Sequence, residues 1–478
     1  MNNDVLTNET SLPLKGAGGS NSLPLKGVGG SLKHALAMMR EEKLFSAIHI
    51  AGTAMAIAFT MVMAVVYYIK LAPIYPEVNR ARTVYFQGIY IMMEEDGKTT
   101  GMTGYSFSEK ALEEWFLPSK NYEYCAPTLL AGGTGRVSTK SVEYVSKGKD
   151  DFMEVITNYT NADFFKIYEY DFLEGRPLTS QDVENKEEVC VISDDLAESY
   201  FGKGVSAVGK MIEQEETGPW RVVGVVRGAN RLTPDSYAQL FLPYTLLKTA
   251  WNNKPYAGIY DIVVTVKDDE QLQALKQEMD EIAARLTQSG EMKANWGEDM
   301  KQFVWLTYGI ETHPMHTLRG ACTADSYEGV SNWQVVKHFA GLLFILLFVP
   351  ALNLCGIVAG RMERRSAEMA VRKTFGGSRS TLLGQVISEN LVLTSIGGII
   401  GLVAAWFAIY GMRTEILGLF FDSSTIGPSP VVTGEMLFAP LLFVGAFAAV
   451  LLMNLLSALL PAWLSLRKPI VESMMEKR

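Results

Sequence analysis

The chain of 478 residues is poor in the side chains that build metal and disulfide frameworks, with only 4 Cys and 5 His. Cys125, Cys190 and Cys322 fall in one polar stretch and Cys355 in an apolar one, so their number and spacing imply no disulfide framework. CxxC, HExxH and GxSxG spacings are all missing. His313 and His316, with Cys322 nearby, therefore suit a surface or structural role rather than a metal site. The acidic pairs Glu94-Glu95 and Asp194-Asp195 are adjacent and point different ways on a strand or helix. No catalytic residue and no metal ligand is expected, which makes a non-catalytic subunit the reading.

Charge is also missing, and this absence is the more informative one. Asp, Glu, Lys and Arg do not occur in Leu44–Ile69, Phe339–Gly360, Leu391–Met412 or Met436–Leu466. Each window exceeds the roughly 18 to 20 apolar residues that cross a bilayer. The first is too long for a signal-peptide core of about 7 to 15 residues and runs into Lys70 without a small-x-small cleavage pattern, so it reads as a retained span. His49 is the one ionisable residue in the windows apart from Cys and Tyr, which weighs against an ion or proton relay.

The charges that are present orient these spans. Lys and Arg cluster before the first window, between the second and third (Arg361, Arg364, Arg365, Arg372, Lys373, Arg379), and after the fourth. The positive-inside rule then places both termini and the middle loop in the cytoplasm and residues 70–338 outside. That exterior segment carries 27 basic and 40 acidic residues, which argues against a nucleic-acid partner. The expected fold is a polytopic α-helical membrane protein of four transmembrane helices with a large mixed α/β extracytoplasmic domain between the first two. Its parts are a cytoplasmic tail and amphipathic helix (1–43), the spans 44–69, 339–360, 391–412 and 436–466, the exterior domain 70–338, a cytoplasmic loop 361–390, a short external loop 413–435 and a cytoplasmic C-terminus 467–478.

Within the exterior segment, Thr83–Met93, Glu188–Ser193, Trp220–Arg227 and Asp261–Lys267 have the β-branched and aromatic content of strands. Ser193–Phe201 and Asp268–Thr287 have helical spacing, the latter with Leu272, Leu275, Met279, Ile282 and Leu286 on one stripe. Strands near both ends of the segment suggest a subdomain interrupted by an insertion. Gly204 to Met211 matches the phosphate loop GxxxxGK but ends in Met where the magnesium-holding hydroxyl belongs, so nucleotide binding there is not expected. A repeat, Ser11–Ser20 and Ser22–Ser31, is rich in Gly, Ser and Pro and reads as a flexible tail. From Ser31, Leu32, Ala35, Leu36 and Met39 recur at helical spacing, as in an amphipathic helix at the inner membrane surface.

Two features concern packing and docking. Gly397, Gly401 and Ala405 form a small-residue stripe in the third window, with Gly52 and Ala56 repeating the idea in the first; such stripes let helices approach closely, within one chain or between two. In the loop, Arg361, Arg365, Glu368 and Arg372 share one helical face and Ala367, Val371 and Phe375 another. Gly376-Gly377 stops that helix and Ser378 can cap the next. The product is a short helix suited either to docking in another protein's groove or to anchoring on lipid headgroups.

The run Glu368-Met-Ala-Val-Arg-Lys-Thr-Phe-Gly-Gly-Ser-Arg379, followed by Gln385–Glu389 and Gly397-Gly398-Ile-Ile-Gly401, resembles the cytoplasmic loop and third span of FtsX-like permeases of the MacB-type ABC transporter family. Ala162–Ile167, Leu173–Leu178, Val191–Ser193, Phe201-Gly202, Val208–Lys210 and Val222–Val226 look like the family's periplasmic core, and Pro461–Trp463 with Pro469–Glu472 like its C-terminal signature. The resemblance implies a dimer whose loop residues Glu368, Met369, Arg372, Lys373, Gly376, Gly377 and Arg379 contact a cytoplasmic ABC ATPase on a separate chain, which binds the ATP and magnesium, so this chain holds no cofactor. It implies residence in the cell inner membrane among its lipids and a second copy or related chain as partner, with a periplasmic adaptor and outer-membrane channel as further partners. Export of a peptide, antibiotic or other toxic compound is the first function implied; lipoprotein release and regulation of a cell-wall hydrolase are the alternatives.

Overall fold

A computed structural model describes residues 39–467 apart from 87, 96–97, 130–140, 149–150, 215–217, 248–255, 290–299, 306–309, 323–329, 422–430 and 438–439. The N-terminal repeat, most of the expected amphipathic helix and the C-terminus beyond 467 lie outside the described residues. Among the described residues, three helices are long and apolar enough to cross a membrane: α1 (Lys43–Leu71), α7 (Arg379–Gly411) and, over Phe443–Leu464, α9 (Pro440–Arg467). A further long helix, α5 (Asn332–Arg364), contains the second charge-free window. The fourth window is described as α8 (Gly434–Leu437) and then α9, whose first residue is Pro440. Proline suits that position because it has no N–H to leave unpaired and its φ is already helical.

The described residues divide into two compact units. One comprises residues up to Thr53, Ala351–Ile399 and Leu451 onward; the other comprises Ala54–Pro350 and Ile400–Val450. Each of the four long helices has a part in both.

In the second unit the segment between α1 and α5 is mixed α and β. Strands β1 (Thr83–Phe86), β13 (Asp261–Thr265) and β4 (Tyr124–Thr128) form an antiparallel sheet in the order β1-β13-β4. A four-stranded sheet has the order β12 (Ala257–Gly258), β3 (Lys98–Phe107), β2 (Ile89–Glu95), β14 (Met300–Trp305). A seven-stranded sheet runs β7 (Phe172–Gly175), β10 (Trp220–Val226), β8 (Val189–Ser193), β11 (Leu240–Pro243), β6 (Asp151–Thr160), β5 (Ser141–Gly148), β9 (Met211–Gln214). Strand β9 pairs with both β5 and β10, so this sheet closes on itself. All of its strands lie between Ser141 and Pro243, while β1 to β4 precede them and β12 to β14 follow.

The expected strand Thr83–Met93 is two strands in two sheets. Gly88 sits between them at φ +149°, and a Cβ there would stand 2.4 Å from the Tyr105 carbonyl oxygen, so the chain turns where only glycine fits. The other three expected strands form within a residue or two of their bounds. Helix α2 (Asp194–Phe201) follows β8, and α3 (Asp269–Gln288) starts at Asp268, whose side chain accepts from the Gln271 N–H. The α3 stripe Leu272, Leu275, Met279, Ile282 and Leu286 is buried against Phe107, Phe116, Ile262 and Val264.

Candidate functional site

The loop between α5 and α7 lies in the first unit. Helix α5 ends at Arg364, and α6 spans Ser366–Thr374. Phe375 closes it, Gly376 turns at φ +92°, and the Gly377 N–H returns to the Arg372 carbonyl at 2.9 Å. A Cβ on Gly377 would meet that carbonyl at 2.8 Å, so both glycines serve the stop. Ser378 then accepts from the Thr381 N–H at 3.2 Å and starts α7.

The charged face of α6 is largely occupied by the chain itself. The Arg372 guanidinium donates to Glu368 at 2.6 Å and to Gln385 on α7 at 2.9 Å, and Gln385 donates on to Glu389 at 2.9 Å. Arg365 pairs with Glu389 at 3.0 Å, and Arg361 with Glu42 at 3.3 Å. Met369 is buried with Val358, Met362, Leu382, Val386, Ala458 and Ala462. Burial and the Arg379 guanidinium hold the Lys373 ammonium below its ordinary pKa. Arg379 itself is exposed at the start of α7. The outward apolar surface is Val371 and, at 88% exposure, Phe375. Phe375 is thus exposed at the end of a helix held to α7 through Arg372–Gln385 and Arg365–Glu389.

The small-residue stripe meets α1 of the same chain. A Cβ on Gly397 would lie 2.9 Å from the Ile50 carbonyl and from Thr53; one on Gly401 would lie 2.5 Å from the Ala54 carbonyl and 3.0 Å from Ile57. Ala405 continues the stripe, buried with Ile57, Met61 and Val450. The facing residues on α1 are therefore Ile50, Thr53, Ala54 and Ile57, whereas the sequence singled out Gly52 and Ala56. Asn454 on α9 approaches Thr53 at 3.4 Å, and His49 stands 3.5 Å from Thr394. The buried amide thus has a helix-to-helix partner.

In the second unit, a polar node ties α1 to the α/β domain. Arg80 is 2% exposed; its guanidinium donates to the Ile69 and Ala72 carbonyls at 2.7 and 2.8 Å, capping the end of α1, and pairs with Glu77 at 2.7 Å. Burial opposes the Arg80 charge, but Glu77 outweighs it and raises the pKa. The second Glu77 oxygen accepts from the Ser236 N–H at 3.0 Å and hydroxyl at 2.8 Å. Asp235 pairs at 3.3 Å with His313, the first residue of α4 (His313–Gly320), so the same loop grips the segment that precedes α5. One turn earlier Leu232, with no exposed surface, enters a cluster with Val65, Val66, Ile69, Ile409, Leu417 and Met436, and Asn230 donates to the Val431 carbonyl at 2.6 Å. This node was not legible in the sequence, because its residues are spread from Glu77 to His313.

Both motifs set aside on sequence grounds are structural. Gly204 and Gly209 turn at φ +74° and +84° and lead into β9 rather than a helix, so no helix N-terminus awaits a phosphate. His313 and His316 are buried rather than at the surface, against Tyr85. Glu77, Asp235 and His313 do offer ligand atoms within 4.8 Å of one another. The Arg80 guanidinium already neutralises Glu77, and a cation would have to displace it.

Two family models match the chain. Residues 46–282 match the model of the MacB-like periplasmic core domain, and residues 340–470 that of the FtsX-like permease C-terminal domain. The chain is 26% identical to the uncharacterized ABC transporter permease YvrN of Bacillus subtilis, over 63% of its own length and 68% of the relative's. It is 24% identical to the macrolide export ATP-binding/permease protein MacB of Agrobacterium fabrum, over 63% of its own length and 40% of that protein's. Among solved structures, the periplasmic region of MacB from Actinobacillus actinomycetemcomitans matches 47% of this chain and 87% of that one, at 16% identity and a TM-score of 0.31.

Proposed function

The chain belongs to the FtsX-like, MacB-type family of ABC transporter permeases, and from that premise we propose that it carries ATP-driven motion from a separate cytoplasmic ATPase to an exterior domain. The proposal includes four spans, α5 being the second, in the cell inner membrane with both termini and α6 in the cytoplasm. The distribution of Lys and Arg supports this orientation. ATP and magnesium are bound by the partner and not by this chain.

The observation that carries the reading is the braced, exposed tip of α6. Phe375 and Val371 project from a helix locked by Arg372–Gln385 and Arg365–Glu389 to α7, so displacement of the tip displaces α7 rather than bending the loop. The residues that touch the ATPase are therefore Val371, Lys373, Phe375 and Arg379, with Gly376 and Gly377 shaping the turn; Glu368, Met369 and Arg372 hold the helix in place. At the other ends of the helices, the Arg80 cap and the Leu232 insertion deliver the motion to the exterior domain. Coupling of this kind typically amounts to about 1–3 kcal/mol between two states.

The cargo is a peptide, antibiotic or other toxic compound handled outside the membrane by a dimer working with a periplasmic adaptor and an outer-membrane channel. The scarcity of ionisable residues in the spans supports a substrate that does not pass between them. Purification from native membranes in mild detergent with a non-hydrolysable ATP analogue tests the assignment. An ATPase with an adaptor is the expected company; an ATPase with a cell-wall hydrolase or a lipoprotein carrier would keep the mechanics and replace the cargo, and no ATPase would overturn the reading.

A further inference from the structure

A cavity of about 710 Å³ opens in the second unit between the loop Arg227–Gln239 and the segment leading into α9. This lies within the roughly 300–1,000 Å³ of small-ligand sites. One wall is apolar: Ile74, three residues beyond the end of α1, with Val431 and Met436 just before α9. Those positions put this wall at the outer edge of the membrane in the proposed topology.

The other wall is doubly charged, and its groups are not equivalent. Arg227 is balanced by Asp171 at 2.8 Å and stacks 3.7 Å from the centre of the Tyr75 ring. Arg231 has only the Tyr237 ring, 5.0 Å away, and its hydroxyl, and no carboxylate at ion-pair distance among the described residues. Asp195 accepts from the Gln239 amide at 2.9 Å. Asp194 uses one oxygen, Oδ1, for the Gly228 and Asp195 N–H groups at 2.8 and 3.0 Å, leaving Oδ2 without a donor among the described residues. Thr433 Oγ1 in the same lining is buried without a hydrogen-bond partner among the described residues.

One guanidinium and one carboxylate oxygen thus remain beside an apolar wall. We propose that the cavity binds the head of a zwitterionic amphiphile carrying a phosphate and a primary ammonium, as in phosphatidylethanolamine, with the phosphate on Arg231, the ammonium on Asp194 and the apolar part along Ile74, Val431 and Met436. A purely anionic head would face Asp194 unpaired, and a quaternary ammonium has no N–H to give its oxygen. The location, but not the chemistry, rests on the topology proposed above, and the assay involves no ATPase, so failure of coupling and failure of lipid binding are separately visible.

The test is native mass spectrometry of the full-length protein with phosphatidylethanolamine, phosphatidylglycerol and phosphatidylcholine of matched acyl chains. Phosphatidylethanolamine should be retained about tenfold over the other two, Arg231→Ala should remove about that factor, and Asp194→Asn, which keeps an acceptor for Gly228, should erase the preference over phosphatidylcholine. If Arg231→Ala lowers the thermal midpoint, Arg231→Gln, which retains a donor beside Tyr237, carries the measurement. Competition by soluble glycerophosphoethanolamine would identify a soluble ligand of this chemistry, and its failure to compete a membrane lipid. Equal retention of the three lipids, or unchanged retention in the folded Arg231 variants, would overturn the proposal.

Discussion

At Gly401 one hydrogen atom sets how closely two helices pass. A methyl there would stand 2.5 Å from the Ala54 carbonyl, and backbone cannot step aside as a side-chain end can. Gly401→Ala should therefore lower the thermal midpoint in detergent, with a loss of about 1–3 kcal/mol from overpacking. Gly384→Ala in the same helix α7, with nothing within 4 Å, should leave it unchanged or raise it. Equal effects of the two would contradict the close approach. The stripe was visible in the sequence as a spacing, but the partner was not: a small residue shows where something comes close, not what. Residue type told less at Arg372. Its place on a charged face was legible, yet whether a charge points at a partner protein or at Gln385 depends on where α7 begins, and that is a property of the turn at Gly376 and Gly377.

At the scale of elements, periodicity told most where one face is buried and the other is wet. Helix α3 shows its stripe plainly for that reason; α6 does not follow it, since Val371 and Phe375 of its expected apolar face are exposed while Met369 and Ala370 are buried. The break between β1 and β2 was hidden because both flanks have strand composition and the decision rests on the backbone of Gly88. Helix α4 was read as two stray histidines, although its first residue joins Asp235 and through the loop meets Glu77 and Arg80. Burial holds the His316 imidazole down at about 4, against the pull of Asp235 and with help from His313; Tyr85 lies alongside. The unfolded chain takes up this proton near 6.5, so stability is full above that pH and falls as pH drops toward 4, by up to about 3 kcal/mol. Asp235, held below its ordinary value by His313 despite its burial, adds a loss at still lower pH. Thermal midpoints followed by tryptophan fluorescence should fall between pH 7 and pH 5, and His316→Gln should flatten that slope. A wild-type slope equal to the variant's would place the pH response elsewhere.

At the scale of the whole molecule, the charge-free windows and the loop motif made the long apolar helices and the family readable from sequence alone. What they left out is how helix ends are fastened, because Ser236 meets Glu77, Leu232 meets α1 and Asn230 meets the lead into α9 across long stretches of chain. The transmission proposed above would require both fastenings: Phe375 against the proposed ATPase, and the Arg80 and Leu232 contacts in the second unit. The most direct measurement is the ATP hydrolysis rate of the partner ATPase, reconstituted in lipid nanodiscs with the wild-type chain or with Phe375→Asp. The wild-type chain should stimulate hydrolysis and Phe375→Asp should abolish the stimulation, at an unchanged thermal midpoint and unchanged membrane insertion. Full stimulation by the folded Phe375→Asp variant would contradict transmission through α6.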